Sequence, residues 1–499
     1  ADKTGVLFGE VGADGAAAAG QAPVDGSATF NSNSQVTVVG QDSYGVRVAS
    51  GLTGDLIAGG VVNVRGERSV AIAVDADVGG DVEIRAIDAN TPQGSGAVIN
   101  GDVGGGLRLT GSIDVNGYRV GGRIAEESFA FIDAGDDDVD ARSAVIIAGH
   151  VRDGVFISAD ATLNLVSGQG AVVDVGDGGE TLTIGEVVLP DDFNTPAEPD
   201  DDDDAEQLGF AMVNEGDVTA VSPFDGRDAT AFLVTGRDEA SLLRMVVLEA
   251  GGLLNENLIT ATAYDGDARS VVFGEGATAT ATADSGLTNR GVIAASAFLG
   301  FETEGFEDDA FGSGRAFALV LDEGSQLSRV LNDRGSIIAR VVGGGESATA
   351  ITVENDATGL LENTGLIQAT TSSLRDGWED GTEPPVRLIA IDAASATQDL
   401  RVVQRAPDVT GDEEASDPSI QGDILFGSGD DTLELLAGSA EGDVDFGAGT
   451  NRLIINNASL TGGVTNSGSL TLDVTDGRLV LTRDQSLDLD QATFFDGGV

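Results

Sequence analysis

Residues 423–433 read Asp-Ile-Leu-Phe-Gly-Ser-Gly-Asp-Asp-Thr-Leu, and 20 residues later 443–453 read Asp-Val-Asp-Phe-Gly-Ala-Gly-Thr-Asn-Arg-Leu. Each copy holds short runs of apolar and polar residues broken by a glycine turn, which is the pattern of short β-strands. A unit of about 20 residues corresponds to one coil of a parallel β-solenoid, and it buries its apolar side only by stacking on its neighbours. The repeat therefore predicts an all-β chain folded as a right-handed parallel β-helix.

A second repeat, Asn-x-Gly-x-aliphatic, runs through the middle of the chain. Its copies begin at Asn214, Asn289, Asn363 and Asn466, with looser copies at Asn255 and Asn332. Asn and Gly both tolerate the left-handed backbone of a tight turn, so we expect positive φ angles here. If the turns stack in register, the asparagine amides form a ladder of hydrogen bonds from coil to coil. An ordinary hairpin turn is the alternative interpretation, but a hairpin does not require the motif to return after one coil length.

The composition is acidic and rich in small residues. Asp and Glu number 84 against 26 Lys and Arg, the formal charge is −58, and 41% of the residues are hydrophobic. This hydrophobic content predicts a folded chain rather than a disordered acidic tail, and the charge argues against a nucleic-acid partner. The chain has no cysteine and a single histidine, His150, which excludes disulfides, thiolate zinc sites and most acid–base triads.

Irregular acidic stretches interrupt the repeats, and we expect them to project from the stack as loop insertions. They occupy 133–140, 190–207, 301–314, 372–385 and 406–419. A solenoid tolerates insertions at its turns because each coil is stabilised by its immediate neighbours. The sequence thus divides into three parts, which are N-terminal coils at 1–130, a solenoid with acidic insertions at 131–420 and regular C-terminal coils at 421–499.

Together these repeats resemble the passenger region of bacterial autotransporters, surface proteins whose stalk is a right-handed parallel β-helix. The likeness is carried by the Asn-x-Gly-x-aliphatic copies between Asn214 and Asn466 and by the repeated pair at 423–453. It implies a protein on the extracellular surface of a Gram-negative bacterium, and the start at Ala1 rather than Met fits a mature exported chain. The family ends in a membrane-embedded β-barrel, for which the residues after Asn466 are too few. A released passenger and another exported solenoid, such as a surface-layer protein, both stay open.

Two groups of acids are candidate calcium ligands, because carboxylate oxygens at high density favour Ca²⁺. The first group is Asp136, Asp137, Asp138 and Asp140, together with the acidic run from Asp200 to Asp204. The second is the pair Asp430 and Asp431. The segment around this pair also resembles one unit of the glycine-rich calcium nonapeptide of RTX proteins, although that motif needs tandem copies nine residues apart. Plain solvation of the acids is the alternative.

From these observations we expect a non-catalytic surface protein, a β-helical stalk or scaffold for adhesion or cell-surface assembly. Its partners would be other surface proteins or copies of itself, with the outer membrane or a surface glycan as further candidates. A self-assembling surface-layer or filament subunit stabilised by calcium is one alternative. A polysaccharide-cleaving enzyme that uses carboxylates is another, although 84 acids place many carboxylate pairs close together by chance.

Overall fold

The structure is a computed structural model that describes residues 3–12, 18, 21–117, 141–176, 181–189, 206–236, 243–298, 314–343, 346–372, 386–408, 416–482 and 489–495. Within these ranges the chain is all-β, and its coils stack as parallel strands in chain order, which confirms the predicted β-solenoid. The described residues include no helix that is long and apolar enough to cross a membrane.

One side of the solenoid, wall 1, is a parallel sheet with one strand from each coil. Strands are numbered in chain order through the whole protein, and those of wall 1 are β1 (Thr4–Phe8), β4 (Tyr44–Val48), β6 (Val70–Val74), β8 (Ser95–Ile99), β11 (Val145–Ile147), β14 (Ala171–Val175), β20 (Ala229–Val234), β24 (Ala268–Phe273), β28 (Arg315–Leu321), β32 (Ser347–Val353), β35 (Arg387–Asp392), β38 (Asp423–Leu425), β41 (Val444–Asp445) and β44 (Val464–Thr465). These 14 described strands, at a spacing of ~4.8 Å, make a wall about 62 Å long. Paired residues of wall 1 are 26 and 25 residues apart between β4, β6 and β8, and 20 apart between β38, β41 and β44.

The second sheet bends at a corner into two columns of parallel strands, walls 2 and 3. β5 (Leu56–Arg65) and β7 (Val82–Asn90) contribute to both columns. Wall 2 comprises β2 (Ala28–Phe30), β9 (Leu107–Leu109), β12 (Val155–Ile157), β18 (Met212–Asn214), β22 (Gly252–Asn255), β26 (Gly286–Asn289), β30 (Arg329–Asn332), β33 (Leu360–Asn363), β36 (Arg401–Gln404), β39 (Thr432–Leu435), β42 (Thr450–Asn456), β45 (Ser469–Thr475) and β47 (Gln491–Phe495). Wall 3 comprises β3 (Gln35–Val39), β10 (Ser112–Asn116), β13 (Thr162–Val166), β19 (Asp217–Asp225), β23 (Leu258–Tyr264), β27 (Val292–Phe298), β31 (Ser336–Val342), β34 (Leu366–Ser372), β37 (Ser419–Gln421), β40 (Ser439–Glu441), β43 (Ser459–Gly462) and β46 (Arg478–Leu481).

Two small sheets complete the described strands. One is parallel and contains β15 (Leu182–Ile184), β21 (Val246–Leu248), β25 (Ala277–Ala279) and β29 (Gln326–Leu327). The other is the antiparallel pair β16 (Val188–Leu189) and β17 (Glu206–Gln207). Strand pairing also continues across both of the expected internal boundaries, since β8 pairs with β11 and β35 with β38. The expected acidic insertions fall almost entirely outside the described residues.

The main hydrophobic core follows the stack from Ala28 to Val474, and a smaller cluster beside it contains Phe156, Val187, Val213 and Leu254. Alternation along each strand builds it, because every second side chain of a strand lies on the same face. In wall 3, Ile259, Ile293, Ile337 and Ile367 occupy one register position in successive coils, and each is fully buried. Burying an isoleucine contributes roughly 1.5–3 kcal/mol, so each coil is stabilised mainly by the coils directly next to it.

The expected asparagine ladder is present at the corner between walls 2 and 3. Its members, here called the amide ladder, are Asn214, Asn255, Asn289, Asn332, Asn363 and Gln404, all of them fully buried. Each asparagine Nδ2 donates to the side-chain oxygen of the next member, at 2.8 Å for the first four bonds and 3.1 Å for the last. Gln404 ends the ladder by donating Nε2 to the carbonyls of Ala437 and Ser439.

The positive φ angles expected at the Asn and Gly of this motif are absent, and one copy of the motif lies outside the ladder. Neither the ladder asparagines nor the glycines that follow them have positive φ. The glycines are required instead by close approach between coils, since a Cβ on Gly291 would fall against the backbone of Asn257, and one on Gly365 against that of Gly335. Asn466 lies outside the ladder because it follows β44 in wall 1, where its amide donates to the carbonyl of Gly468.

Candidate functional site

The first group of expected calcium ligands, Asp136 to Asp138 with Asp140 and the run from Asp200 to Asp204, lies outside the described residues. The second, Asp430 and Asp431, lies in the turn before β39. Among the described residues no three His, Asp or Glu side chains come together as a metal site. Calcium binding therefore stays a prediction for both groups.

The carboxylates of Asp430 and Asp431 have different surroundings. Asp430 is exposed, and its Oδ1 accepts the backbone N–H of Thr450 at 2.7 Å. Asp431 is only 1% exposed, its Oδ1 accepts the N–H of Leu400 at 2.8 Å, and no described donor reaches its Oδ2. Burial raises the pKa of Asp431, the Leu400 N–H opposes that rise, and the charges of Asp399 and Asp430 add to it. The pair thus connects the coils on either side of it through their backbones.

Aspartate bridges of this kind recur along the stack, and the sequence did not reveal them. Asp55 Oδ1 accepts the N–H of Asp81 at 3.0 Å, and Asp81 Oδ1 accepts that of Gly106 at 2.8 Å. In the regular C-terminal coils, Asp423 Oδ1 accepts the N–H of Asp443 at 2.8 Å. The signal available in the sequence was the returning Gly-Asp-aliphatic turn. Many of the acids in this chain therefore serve as hydrogen-bond acceptors between coils.

One aspartate is the centre of an ionic cluster at the start of wall-1 strands. Asp267 has a side chain only 9% exposed and binds Arg269 at 2.6 Å and Arg315 at 2.7 Å. It also accepts the backbone N–H of Arg315 at 3.1 Å. Both guanidinium groups lie over the ring of Phe317, at 5.9 and 5.3 Å from its centroid. Because charge-assisted hydrogen bonds are the stronger ones, this cluster joins β24 to β28 firmly.

A cleft of about 670 Å³ lies beside wall 1. We call it the acidic cleft because Glu323, Glu354 and Asp356 line it, on turns that follow β28 and β32. Its floor is Asn355, which is buried and donates Nδ2 to Ser325 Oγ at 2.8 Å. Asn355 Oδ1 in turn accepts backbone N–H groups of its own turn at 3.2 and 3.0 Å, the usual role of Asn in a turn.

The pKa values of two carboxyl groups in the acidic cleft are shifted in opposite directions. Burial raises the pKa of Glu354, and the negative charges of Asp322, Asp392 and Glu323 raise it further. The pKa of Asp356 is lowered by the backbone N–H of Thr397, at 2.8 Å, and by its hydroxyl, at 2.9 Å. Glu354 therefore keeps a proton to higher pH than an ordinary glutamate, while Asp356 stays ionised to lower pH.

Acid–base hydrolysis of glycosides uses a carboxyl group with a raised pKa beside an ionised carboxylate, and the pKa shifts of Glu354 and Asp356 have these two directions. The lining residues of the acidic cleft include no aromatic side chain on which a sugar ring would pack. The described lining of the cleft thus combines two carboxyl groups of opposite pKa shift with a surface that has no aromatic ring.

No protein-family model, no curated protein and no solved structure matches this chain. The likeness to autotransporter passengers therefore stays an expectation from the sequence.

Proposed function

We propose that this chain is a non-catalytic structural rod, a β-helical stalk or scaffold for adhesion or assembly on the outside of a Gram-negative cell. The amide ladder is the observation that carries the proposal, because it joins six consecutive coils through fully buried side chains. A catalytic protein gathers such polar groups at one centre. Here they recur once per coil and hold the coils together.

Buried amides also give the stack a defined register. A one-residue slip of any ladder strand would place an amide on the wrong face and leave its partners unpaired in the interior, where an unpaired polar group costs roughly 1–3 kcal/mol. The aspartate bridges have the same effect at the turns. A part that must keep its length and resist unfolding benefits from register control in every coil.

The charge supports a dispersed extracellular role. A formal charge of −58 repels nucleic acids and anionic surfaces and keeps copies of the protein soluble. The partners we propose are other surface proteins or further copies of this chain, with calcium as the ion that its exposed acids favour.

The location is tested by cysteine labelling on intact cells of the native host. The chain has no cysteine, so Val39→Cys, at a side chain 57% exposed, supplies one reactive thiol, and Val64→Cys, fully buried, is the matched control. A membrane-impermeant maleimide is expected to label Val39→Cys on intact cells and Val64→Cys only after unfolding. Labelling of Val39→Cys that appears only after cell lysis would refute the surface location.

Carboxylate-dependent polysaccharide cleavage is the second candidate, favoured by the opposed pKa shifts of Glu354 and Asp356. The test is release of reducing ends from neutral and acidic polysaccharides by the purified protein, by Glu354→Gln, and by Glu441→Gln as an exposed control on wall 3. The scaffold proposal expects no turnover from any of them. Turnover that survives in Glu441→Gln and disappears in Glu354→Gln would replace it with an enzyme.

A further inference from the structure

Six neighbouring strands of wall 3, from β13 to β34, expose a sheet face of unusual composition. The face, called the neutral face, consists of the outward side chains Thr162, Asn164, Val166, Asp217, Thr219, Val221, Leu258, Thr260, Thr262, Tyr264, Val292, Ala294, Ser296, Phe298, Ser336, Ile338, Arg340, Leu366, Gln368, Thr370 and Ser372. Only Asp217 and Arg340 among these residues carry a charge, and Asp225 of β19 adds a third charged residue at the register position of Tyr264. The other members are aliphatic, aromatic, hydroxyl or amide side chains.

This neutrality is local and does not reflect the chain as a whole. The same register columns carry Arg65, Asp88 and Asp114 in the coils before β13, where Arg65 and Asp88 form an ion pair at 3.1 Å. The protein as a whole carries −58. A strip six strands wide with so few charges meets less local charge repulsion on contact than the rest of this acidic molecule does.

The size and shape of the neutral face suit sheet-on-sheet contact. Strand spacing of ~4.8 Å and a rise of ~3.3 Å per residue give a face of roughly 500 Å². That is within the range of functional apolar patches but below the ~800 Å² that each partner buries in a standard stable interface. One sheet face packs on another in this way in β-sandwiches, and the area predicts weak, reversible association.

The two aromatic residues of the face argue against a sugar as its partner. Tyr264 and Phe298 stack on each other between adjacent coils, with ring centroids 5.4 Å apart and planes 29° from parallel. This stacking takes up one face of each ring, whereas a sugar ring packs on an open ring face.

We propose that the neutral face pairs with the neutral face of a second copy of this chain. A second copy carries the same neutral face and so offers a partner surface with few charges. A two-fold arrangement makes the contact self-complementary. The acidic remainder of each molecule opposes the approach, but that repulsion is screened beyond about 8 Å at physiological ionic strength. This pairing rests on the proposed scaffold role, for which it names a second copy of the chain as the partner.

Sedimentation velocity of the full chain, over a wide concentration range at low and high sodium chloride, tests the pairing. We expect a reversible monomer–dimer equilibrium that strengthens with salt, because salt screens the repulsion between acidic rods. Val292→Glu places a carboxylate on the neutral face of each copy and is expected to weaken the dimer at least about tenfold through like-charge contact. Val61→Glu, the same change on exposed β5 outside the face, is expected to alter it less than about twofold.

Circular dichroism and melting curves first establish that both variants fold like the parent. A chain that stays monomeric at every concentration and salt overturns the pairing, whether the face is then open or covered by another segment of the same chain. A dimer that Val292→Glu and Val61→Glu weaken equally overturns it as well, because the contact would then lie elsewhere. Either result leaves the labelling test of the scaffold role unaffected.

Discussion

Alanine substitution in the middle of the amide ladder should destabilise the protein more than the same change at the ladder's beginning. Asn289 makes three side-chain bonds: it accepts from Asn255 at 2.8 Å and donates to Asn332 at 2.8 Å and to the Ser336 carbonyl at 3.2 Å. Asn214 is equally buried, but it donates to Asn255 at 2.8 Å while no described donor reaches its Oδ1. The two sites thus differ in bonding and not in burial.

The magnitudes follow from these counts. A buried hydrogen bond contributes roughly 0.5–1.5 kcal/mol net, so Asn289→Ala is expected to lower the free energy of unfolding by about 2–4 kcal/mol. Asn214→Ala loses one such bond and should cost about 1 kcal/mol. Asn466→Ala, in a motif copy outside the ladder, removes a local bond to Gly468 and should cost less than about 1 kcal/mol.

Urea unfolding followed by far-ultraviolet circular dichroism measures all three variants. Because solenoids unfold through partly stacked states, the comparison uses the transition that includes the ladder coils. A double-mutant cycle between Asn255 and Asn289 should also show coupling, since the two side chains share one bond. Equal costs for Asn289→Ala and Asn214→Ala, or fully additive effects of Asn255 and Asn289 substitutions, would refute the reasoning.

Three further changes test other parts of the structure. Asp431→Asn should raise the free energy of unfolding at pH 7 by roughly 1 kcal/mol, because it removes a buried charge. This gain in the free energy of unfolding should shrink as the pH falls through the raised pKa of Asp431, because the folded parent takes up a proton there before the unfolded chain does. Urea titrations at several pH values measure the gain, and a gain that grows on acidification would contradict this reasoning. Asp267→Ala removes the carboxylate that Arg269 and Arg315 share, while Arg269 keeps Asp228, and should cost about 1.5–3 kcal/mol for the lost charge-assisted hydrogen bonds. Arg401→Ala at an exposed pair should cost less than about 1 kcal/mol, and equal shifts in melting temperature would count against the cluster. Calcium should raise the melting temperature and a chelator should reverse the effect, and identical melting curves would remove calcium from the proposal.

Residue types and their spacing were sufficient to predict the class of fold. Short alternating runs with glycine turns form strands of a few residues, and a motif that returns after about 20 residues requires those strands to stack. The ladder could also be predicted, because asparagine recurs once per coil at the end of an apolar run. These features are local in the sequence or repeat at short range, so reading along the chain finds them.

The membership of the ladder was decided by the stack. Gln404 belongs to it without matching the motif, since it shares the register position of Asn363, and Asn466 matches the motif without belonging, since its turn follows wall 1. Coil length varies with the insertions, so the sequence does not show which wall a given turn ends. The role of the motif glycines was also decided by the stack. They are required because the backbone of a neighbouring coil lies too close for a Cβ, and not because their own φ is positive.

The acids show the division between sequence and tertiary structure most clearly. Composition alone establishes an acidic molecule of charge −58, and composition alone treats Asp430 and Asp431 as equivalent ligands. The stack buries Asp431 against Leu400, leaves Asp430 exposed, and gathers uncharged side chains from six coils into the neutral face. Residues that meet across coils are separated by tens of positions in the chain, and only the register of the stacked strands brings them together.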